Sequence, residues 1–425
     1  MSNGINVLTY SLPGQYVVSA HLVLDLPLNS EDRSVEGVAT ICARTLDEGT
    51  RRHGGEEFAA LLETEGAGFG IDVSLSGVQA MVDVPVSRLD RALSLFGEAV
   101  TEPALANSDV NRHVQLRLAE IEQAEANSSQ VASIAFRSAV FDERSRASRM
   151  SFGESETVAA VTPETVRTFH QTQFGPERST LVLAGDFSAA TGDPAALAES
   201  VLGAWPAGQR PPVVPETPQR APRRAVLVDR PGAVQADVRL GGFGVDRSDP
   251  RWADLTVASY AVGGGFLSRL NAVLREEKGY TYGVRLTFSP LRVGGYFAVQ
   301  GSFRTEVVGD ALRLARELLR TEDAPLTPSE VADAVSYHRG VSPLRYATAD
   351  GVADQAATQV LTGLKDDYLD AHLAALARVT PESAAAAYES VVAVEDLTLV
   401  VVGDADRVAD PVRRAGFPDL EIMTA

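Results

Sequence analysis

Val379-Thr380-Pro381-Glu382-Ser383, followed by Leu397-Thr398-Leu399-Val400-Val401-Val402-Gly403-Asp404, decides how this chain is built. The same pattern stands earlier as Val161-Thr162-Pro163-Glu164-Thr165 and Ser179-Thr180-Leu181-Val182-Leu183-Ala184-Gly185-Asp186. Thr162 to Thr380 and Gly185 to Gly403 are both 218 residues apart. Motifs that recur without a change of internal spacing mark a duplicated unit. A looser match joins Asp90-Arg91-Ala92-Leu93, ahead of Pro103 and Val110, to Gly309-Asp310-Ala311-Leu312, ahead of Pro325 and Val331. In each copy Thr-Pro-Glu reads as a helix start, with proline in the first turn and an acid nearby, and the apolar run before Gly-Asp reads as a buried strand.

Working outward, the two copies are expected to be two homologous domains, one over 1–206 and one over 224–425. The stretch 207–223 between them, with Pro211, Pro212, Pro215 and Pro218, reads as a semi-rigid extended spacer. Val17–Leu24 and Ala298–Phe303 have strand character. A helix is expected from about Ser108, where Val110, Val114, Leu118 and Ile121 recur at helical spacing along one face. Strands grouped with helices between them, without regular βαβ alternation, predict an α+β fold in which each domain packs a mainly antiparallel sheet against helices.

The chain of 425 residues is 45% hydrophobic and 22% charged, ordinary for a globular protein, and long enough for two domains. Its formal charge of −19 repels phosphate backbones and anionic lipid, so nucleic-acid and membrane partners are not expected, whereas cationic peptides are attracted. One cysteine, Cys42, excludes an internal disulfide framework. No apolar run approaches a membrane span, and the first residues carry neither a basic nor an apolar signal region, so the cytoplasm is the expected location. The six histidines, His21, His53, His113, His170, His338 and His372, include no pair at the spacing that puts two imidazoles on one helical face. No Gly-x-Ser-x-Gly elbow occurs, Cys42 has no evident histidine partner, and the Gly263-Gly264-Gly265 run is not followed by Gly-Lys-Ser/Thr. Nucleophilic peptidase chemistry and nucleotide binding are therefore not expected.

With these residues in view, the chain resembles the pitrilysin and mitochondrial-processing-peptidase family of inverted-motif zinc metallopeptidases over nearly its whole length. In the first half the resemblance runs through Gly37, Gly49-Thr50, Phe58, Leu61-Leu62, Glu65, Gly66 and Pro103. It is sharper in the second half, through Pro231-Gly232, Gln235, Gly263-Gly264-Gly265, Ser268-Arg269-Leu270, Leu274-Arg275-Glu276, Gly279 and Tyr282. Active members carry His-x-x-Glu-His just before the Gly-Thr pair and a further glutamate downstream. Anchored on Gly49-Thr50, this chain has Thr40 and Arg44 in the histidine positions and Ala43 in the place of the general base. Neither a threonine nor a guanidinium replaces an imidazole on catalytic zinc, so this chain is expected to bind no metal or other cofactor itself. Glu120 falls at the distal glutamate position, away from the apolar stripe of its helix, and the plain reading is a solvated helical acid.

What the resemblance retains implies the rest. In the family an arginine and a tyrosine seven residues apart reach the substrate from a domain other than the one that holds zinc, and Arg275 and Tyr282 have that spacing. The resemblance thus assigns Arg275 and Tyr282 as catalytic contributors and Gly263, Gly264 and Gly265 as substrate-binding backbone. It implies half of a clamshell, completed by a homologous His-x-x-Glu-His subunit that brings the zinc, with a short or unfolded peptide as substrate. The competing expectation is a structural or peptide-binding subunit of the same fold without catalysis.

Overall fold

The computed structural model describes residues 1–189, 193–208 and 213–424. Pro211 and Pro212 of the proposed spacer lie outside the described residues. Eleven strands are present among the described residues: β1 Asn6–Ser11, β2 Val17–Leu24, β3 Gly68–Ser74, β4 Gly77–Pro85, β5 Ser179–Gly185, β6 Ala225–Asp229, β7 Gln235–Gly244, β8 Val284–Pro290, β9 Gly295–Arg304, β10 Thr398–Gly403 and β11 Leu420–Thr424. They form two sheets, ordered β1-β5-β2-β4-β3 and β11-β6-β10-β7-β9-β8. β1 and β5 run parallel, as do β6 and β10, while every pairing on the far side of β5 and β10 is antiparallel. The second sheet is therefore the first repeated strand for strand, with β11 added in parallel at its edge. Each is a mainly antiparallel sheet packed with helices, the α+β architecture the pattern predicts.

The repeated motifs do the same local work twice. Thr162 caps the Pro163–Gln173 helix, its Oγ1 accepting from Thr165 N while Thr165 Oγ1 accepts from Thr162 N. Thr380 and Ser383 make the same reciprocal pair at the start of the Pro381–Val391 helix. Two of the first-turn donors that a helix leaves open are satisfied in this way at each site. β5 and β10, which follow, are buried along their whole length. The helix expected near Ser108 spans Asn107–Ala126, with Val110, Val114 and Ile121 buried.

Each sheet uses strands from one side of the 207–223 stretch only, but helices are exchanged between the halves. One compact unit comprises Met1–Ile121, Met150–Glu216 and Ser342–Asp366, and the other Glu122–Arg149, Thr217–Val341 and Asp367–Ala425. In the first unit the Ala349–Thr362 helix lies on β2 and β5. Its Ala349, Ala353 and Ala356 bury against Val182 and Ala184, and its Ala357 and Leu361 against Val23. In the second unit the Ser128–Val140 helix lies on β7 and β10, burying Ala132, Phe136, Ala139 and Val140. Alanine on the face toward the sheet lets a helix backbone approach the strands closely. Ala353 is fully buried. Ala353→Leu forces added volume into that seam and should cost about 1–3 kcal/mol by denaturant unfolding, whereas alanine-to-serine changes on the solvent face of the same helix should cost less.

Candidate functional site

Two loci carry the chemistry expected from the sequence, one in each unit. In the first, the Val38–Arg44 helix starts at Gly37, whose φ of +101° is left-handed and whose missing Cβ would meet Phe152 O at 2.8 Å. Glu31 Oε1 accepts from the backbone N–H groups of Gly37 and Ala39 at 3.1 and 3.0 Å and supplies the cap that a glycine side chain cannot. This fixes Thr40, Ala43 and Arg44. Thr40 is buried, its hydroxyl 3.5 Å from Ser151 O, and Ala43 is buried without a polar group.

Arg44 Nη1 donates to both carboxylate oxygens of Glu120 at 2.8 and 2.9 Å. Arg117 Nη1 donates to Glu120 Oε2 at 2.7 Å, its guanidinium 3.8 Å above the Phe152 ring. Hydrogen bonds from Arg44, then charge, hold the Glu120 carboxyl below its ordinary range. The plain reading of Glu120 as a solvated helical acid is thus corrected: 42% of its side chain is exposed, but two guanidinium groups claim its oxygens. The signal was in the sequence, since Arg44 and Glu120 both fell on ligand positions. Catalytic zinc does not fit this locus: it has no imidazole pair, and its one carboxylate already faces a fixed cation. Cys42 is fully buried, which pushes its thiol far up and leaves it unreactive.

The second locus is built from a helix that widens before it stops. After the Trp252–Ser259 helix, Gly265 N donates to Tyr260 O at 2.9 Å, a five-residue step that opens the last turn. A Cβ on Gly263 would stand 2.6 Å from both Leu270 Cδ1 and Leu286 Cβ, and one on Gly265 would stand 2.9 Å from the Tyr260 ring. Gly263 and Gly265 are therefore glycines of close packing, with Gly264 between them nearest Ser259 O. The chain re-enters a helix at Arg269, widens again where Lys278 N donates to Val273 O at 2.9 Å, and ends at Gly279, φ +61°.

Arg275 lies in that second widened turn. Its guanidinium is 3.7 Å from the Phe266 ring centroid, donates to Phe266 O at 3.3 Å, and pairs with Glu276 at 2.7 Å. Tyr282 lies in the loop before β8 and is 97% exposed. It borders an open groove of about 330 Å³ with Ser129, Gln235, Arg239, Thr281 and Gln300, and Arg275 is not among that groove's walls. Buried Asn271, which the sequence reading passed over, fixes the loop: Nδ2 donates to Gly265 O and Val284 O at 3.1 and 3.0 Å, and Oδ1 accepts from Val284 N at 3.1 Å. Arg269 of the Ser-Arg-Leu motif grips Glu330 at 2.6 and 2.7 Å and also donates to Pro325 O.

A duplicated α+β domain, each copy a mainly antiparallel sheet packed with helices, defines a two-domain metallopeptidase fold. The chain belongs to peptidase family M16. Residues 6–150 match the family model described as insulinase (peptidase family M16), and residues 160–337 match that of the peptidase M16 inactive domain. An uncharacterised zinc protease of Streptomyces coelicolor is 25% identical over 90% of this chain and 84% of its own length. The non-peptidase homolog YmxG of Helicobacter pylori is 24% identical over 75% of this chain and 73% of its own. In fold, the crystal structure of a peptidase M16 inactive domain from Pseudomonas fluorescens superposes with a TM-score of 0.86 at 24% identity, covering 95% of this chain and 96% of that one. Among the described residues no helix is long and apolar enough to cross a membrane.

The Arg269–Glu330 pair gives a pH signature. Hydrogen bonds from Arg269, helped by Thr327, hold Glu330 down at about 2 against an ordinary 4.5. A carboxyl depressed in the folded state adds stability above its unfolded pKa and loses it as pH falls through the folded one. Glu330→Gln should therefore lower Tm at pH 7, and the gap from wild type should shrink steadily from pH 4.5 toward pH 2 in thermal melts.

Proposed function

We propose that this chain is the non-zinc subunit of a two-chain zinc endopeptidase acting on short or unfolded peptides in the cytoplasm. A homologous His-x-x-Glu-His subunit brings the metal, and this chain supplies Arg275 and Tyr282 as hydrogen-bond donors to the substrate carbonyl, where negative charge grows as the peptide bond is attacked. Gly263, Gly264 and Gly265 provide the backbone edge that the peptide lies along, and the two chains close as the halves of a clamshell. The observation that carries this reading is exposure: the two most exposed large hydrophobic side chains among the described residues, Tyr282 at 97% and Leu267 at 82%, both belong to the retained element. An anchored loop that holds a tyrosine out in solvent is suited to a partner or substrate that covers it. The excess of acidic residues suits a cationic peptide.

A second reading, an inert peptide-binding or structural subunit, is favoured by the name of the Helicobacter relative, a non-peptidase homolog, and by the Arg275 guanidinium being engaged by Phe266 and Glu276. Kinetics of the assembled enzyme separate the two. Losing a donor to the developing oxyanion costs about 10² to 10³ in turnover. Tyr282→Phe and Arg275→Ala should each lower kcat on that scale while the chains still co-elute; cleavage at the wild-type rate by both variants assigns the inert role.

A further inference from the structure

The two copies of the fold attach their exchanged helices by opposite chemistry. Arg239 on β7 and His21 on β2 are equivalent: Arg239 pairs with Val400 and His21 with Val182, each partner the other's counterpart 218 residues away. Asn127 and Thr348 cap the two exchanged helices, so Ser129 matches Asp350 and Ser133 matches Asp354. In the second unit the guanidinium of Arg239 does the joining, donating to Ser129 O and Oγ at 2.9 and 2.8 Å and to Ser133 Oγ at 3.1 Å. In the first unit the cation is gone and carboxylates have replaced the serines. Buried His21 stands beside Asp350 and Asp83, with the charges of Asp354 and Asp72 also acting on it.

We propose that His21, Asp83 and Asp350 bind one divalent transition-metal ion, which clips the first turn of the Ala349–Thr362 helix to the sheet. One nitrogen and two carboxylate oxygens, one from each residue, lie within 4.8 Å of one another. His21 Nε2 is already 3.7 Å from Asp350 Oδ1. Ligands about 2.0–2.2 Å from a tetrahedral ion stand about 3.3–3.6 Å apart, so small rotations close the site. Asp83 Oδ1 points to the same need independently: it is shut off from solvent and has no hydrogen-bond partner among the described residues. A shielded carboxylate oxygen without a donor is costly unless a cation meets it. At the matching cross-strand position of the other copy, Ser302 donates to Asp237 and nothing is left over.

The surroundings also suit an imidazole ligand. Burial, outweighing the nearby carboxylates, lowers the His21 pKa and favours the neutral ring that a metal takes. The Gln79 side-chain amide lies 2.7 Å from Nδ1 through its nitrogen, and flipping the amide brings its oxygen to the ring, where it accepts the Nδ1 proton and frees Nε2 for the ion. Ser19 Oγ, 3.0 Å from Nε2, is the adjacent neutral oxygen. Nitrogen with carboxylates selects Zn²⁺, Co²⁺ or Mn²⁺ over Ca²⁺. The ligands come from two strands and a helix of the other half of the chain, which is why histidine spacing in the sequence shows no metal pair.

The test uses tag-free full-length chain stripped with chelator, then titrated with Zn²⁺ and with Co²⁺ and read by calorimetry, metal analysis and thermal melts. The wild type should take up one ion at this site with a Tm that rises with metal concentration. Asp350→Asn, at a side chain 61% exposed, should fold normally and lose at least about tenfold in affinity together with the Tm response. Asp83→Asn should lose the response too, while its metal-free form is at least as stable as the metal-free wild type, because the amide lets a donor or a neutral oxygen stand where a shielded carboxylate oxygen met none. A wild type that takes up no ion, or either variant binding as tightly as the wild type, overturns the assignment.

Discussion

A guanidinium bonded to both oxygens of a carboxylate is the interaction around which the Val38–Arg44 helix of the first copy is arranged. Arg44 reaches Glu120 at 2.8 and 2.9 Å, with Arg117 completing the cluster at 2.7 Å. Glu120 thus meets a positive charge that is part of the chain, carried by the same helix as Thr40 and Ala43. A free metal would have to displace that guanidinium and would find no imidazole pair when it had. The helix is capped by Glu31, Arg117 stacks on Phe152, and an ion pair fills the locus between them.

The second copy diverged in the other direction. There the cost is carried by the backbone: glycines at 263 and 265 permit close approach to Leu286 and Tyr260, two turns are widened, and buried Asn271 ties the loop back to β8. Widened turns and tightly specified loops are where side chains are aimed for function. Arg269 is spent on Glu330 and holds the element together, whereas Tyr282 is 97% exposed and is displayed.

Local chemistry was legible in the sequence and long-range assembly was not. The Thr-Pro-Glu caps, the buried runs before Gly185 and Gly403, and the amphipathic helix through Val110 and Val114 each depend on neighbours a few residues away, so a one-dimensional reading finds them. The exchange of the Ser128–Val140 and Ala349–Thr362 helices does not, because alanine-rich faces state that a helix is buried and not which sheet buries it. The same limit hid the Arg269–Glu330 pair, the Asn271 lock and the meeting of His21 with Asp83 and Asp350. Glu120 is the intermediate case: the family pattern places it and Arg44 at one site, yet the plain reading is a solvated acid, and the opposite charges at those two positions are the signal that reading leaves unused.

The most direct measurement is peptide hydrolysis by this chain alone and after mixing with a purified homologous subunit that bears His-x-x-Glu-His, with zinc supplied and a chelator control. The account predicts no cleavage by the solitary chain at any zinc concentration, and chelator-sensitive cleavage by the mixture well above that of the zinc subunit alone. Zinc-dependent hydrolysis by the solitary chain would contradict it.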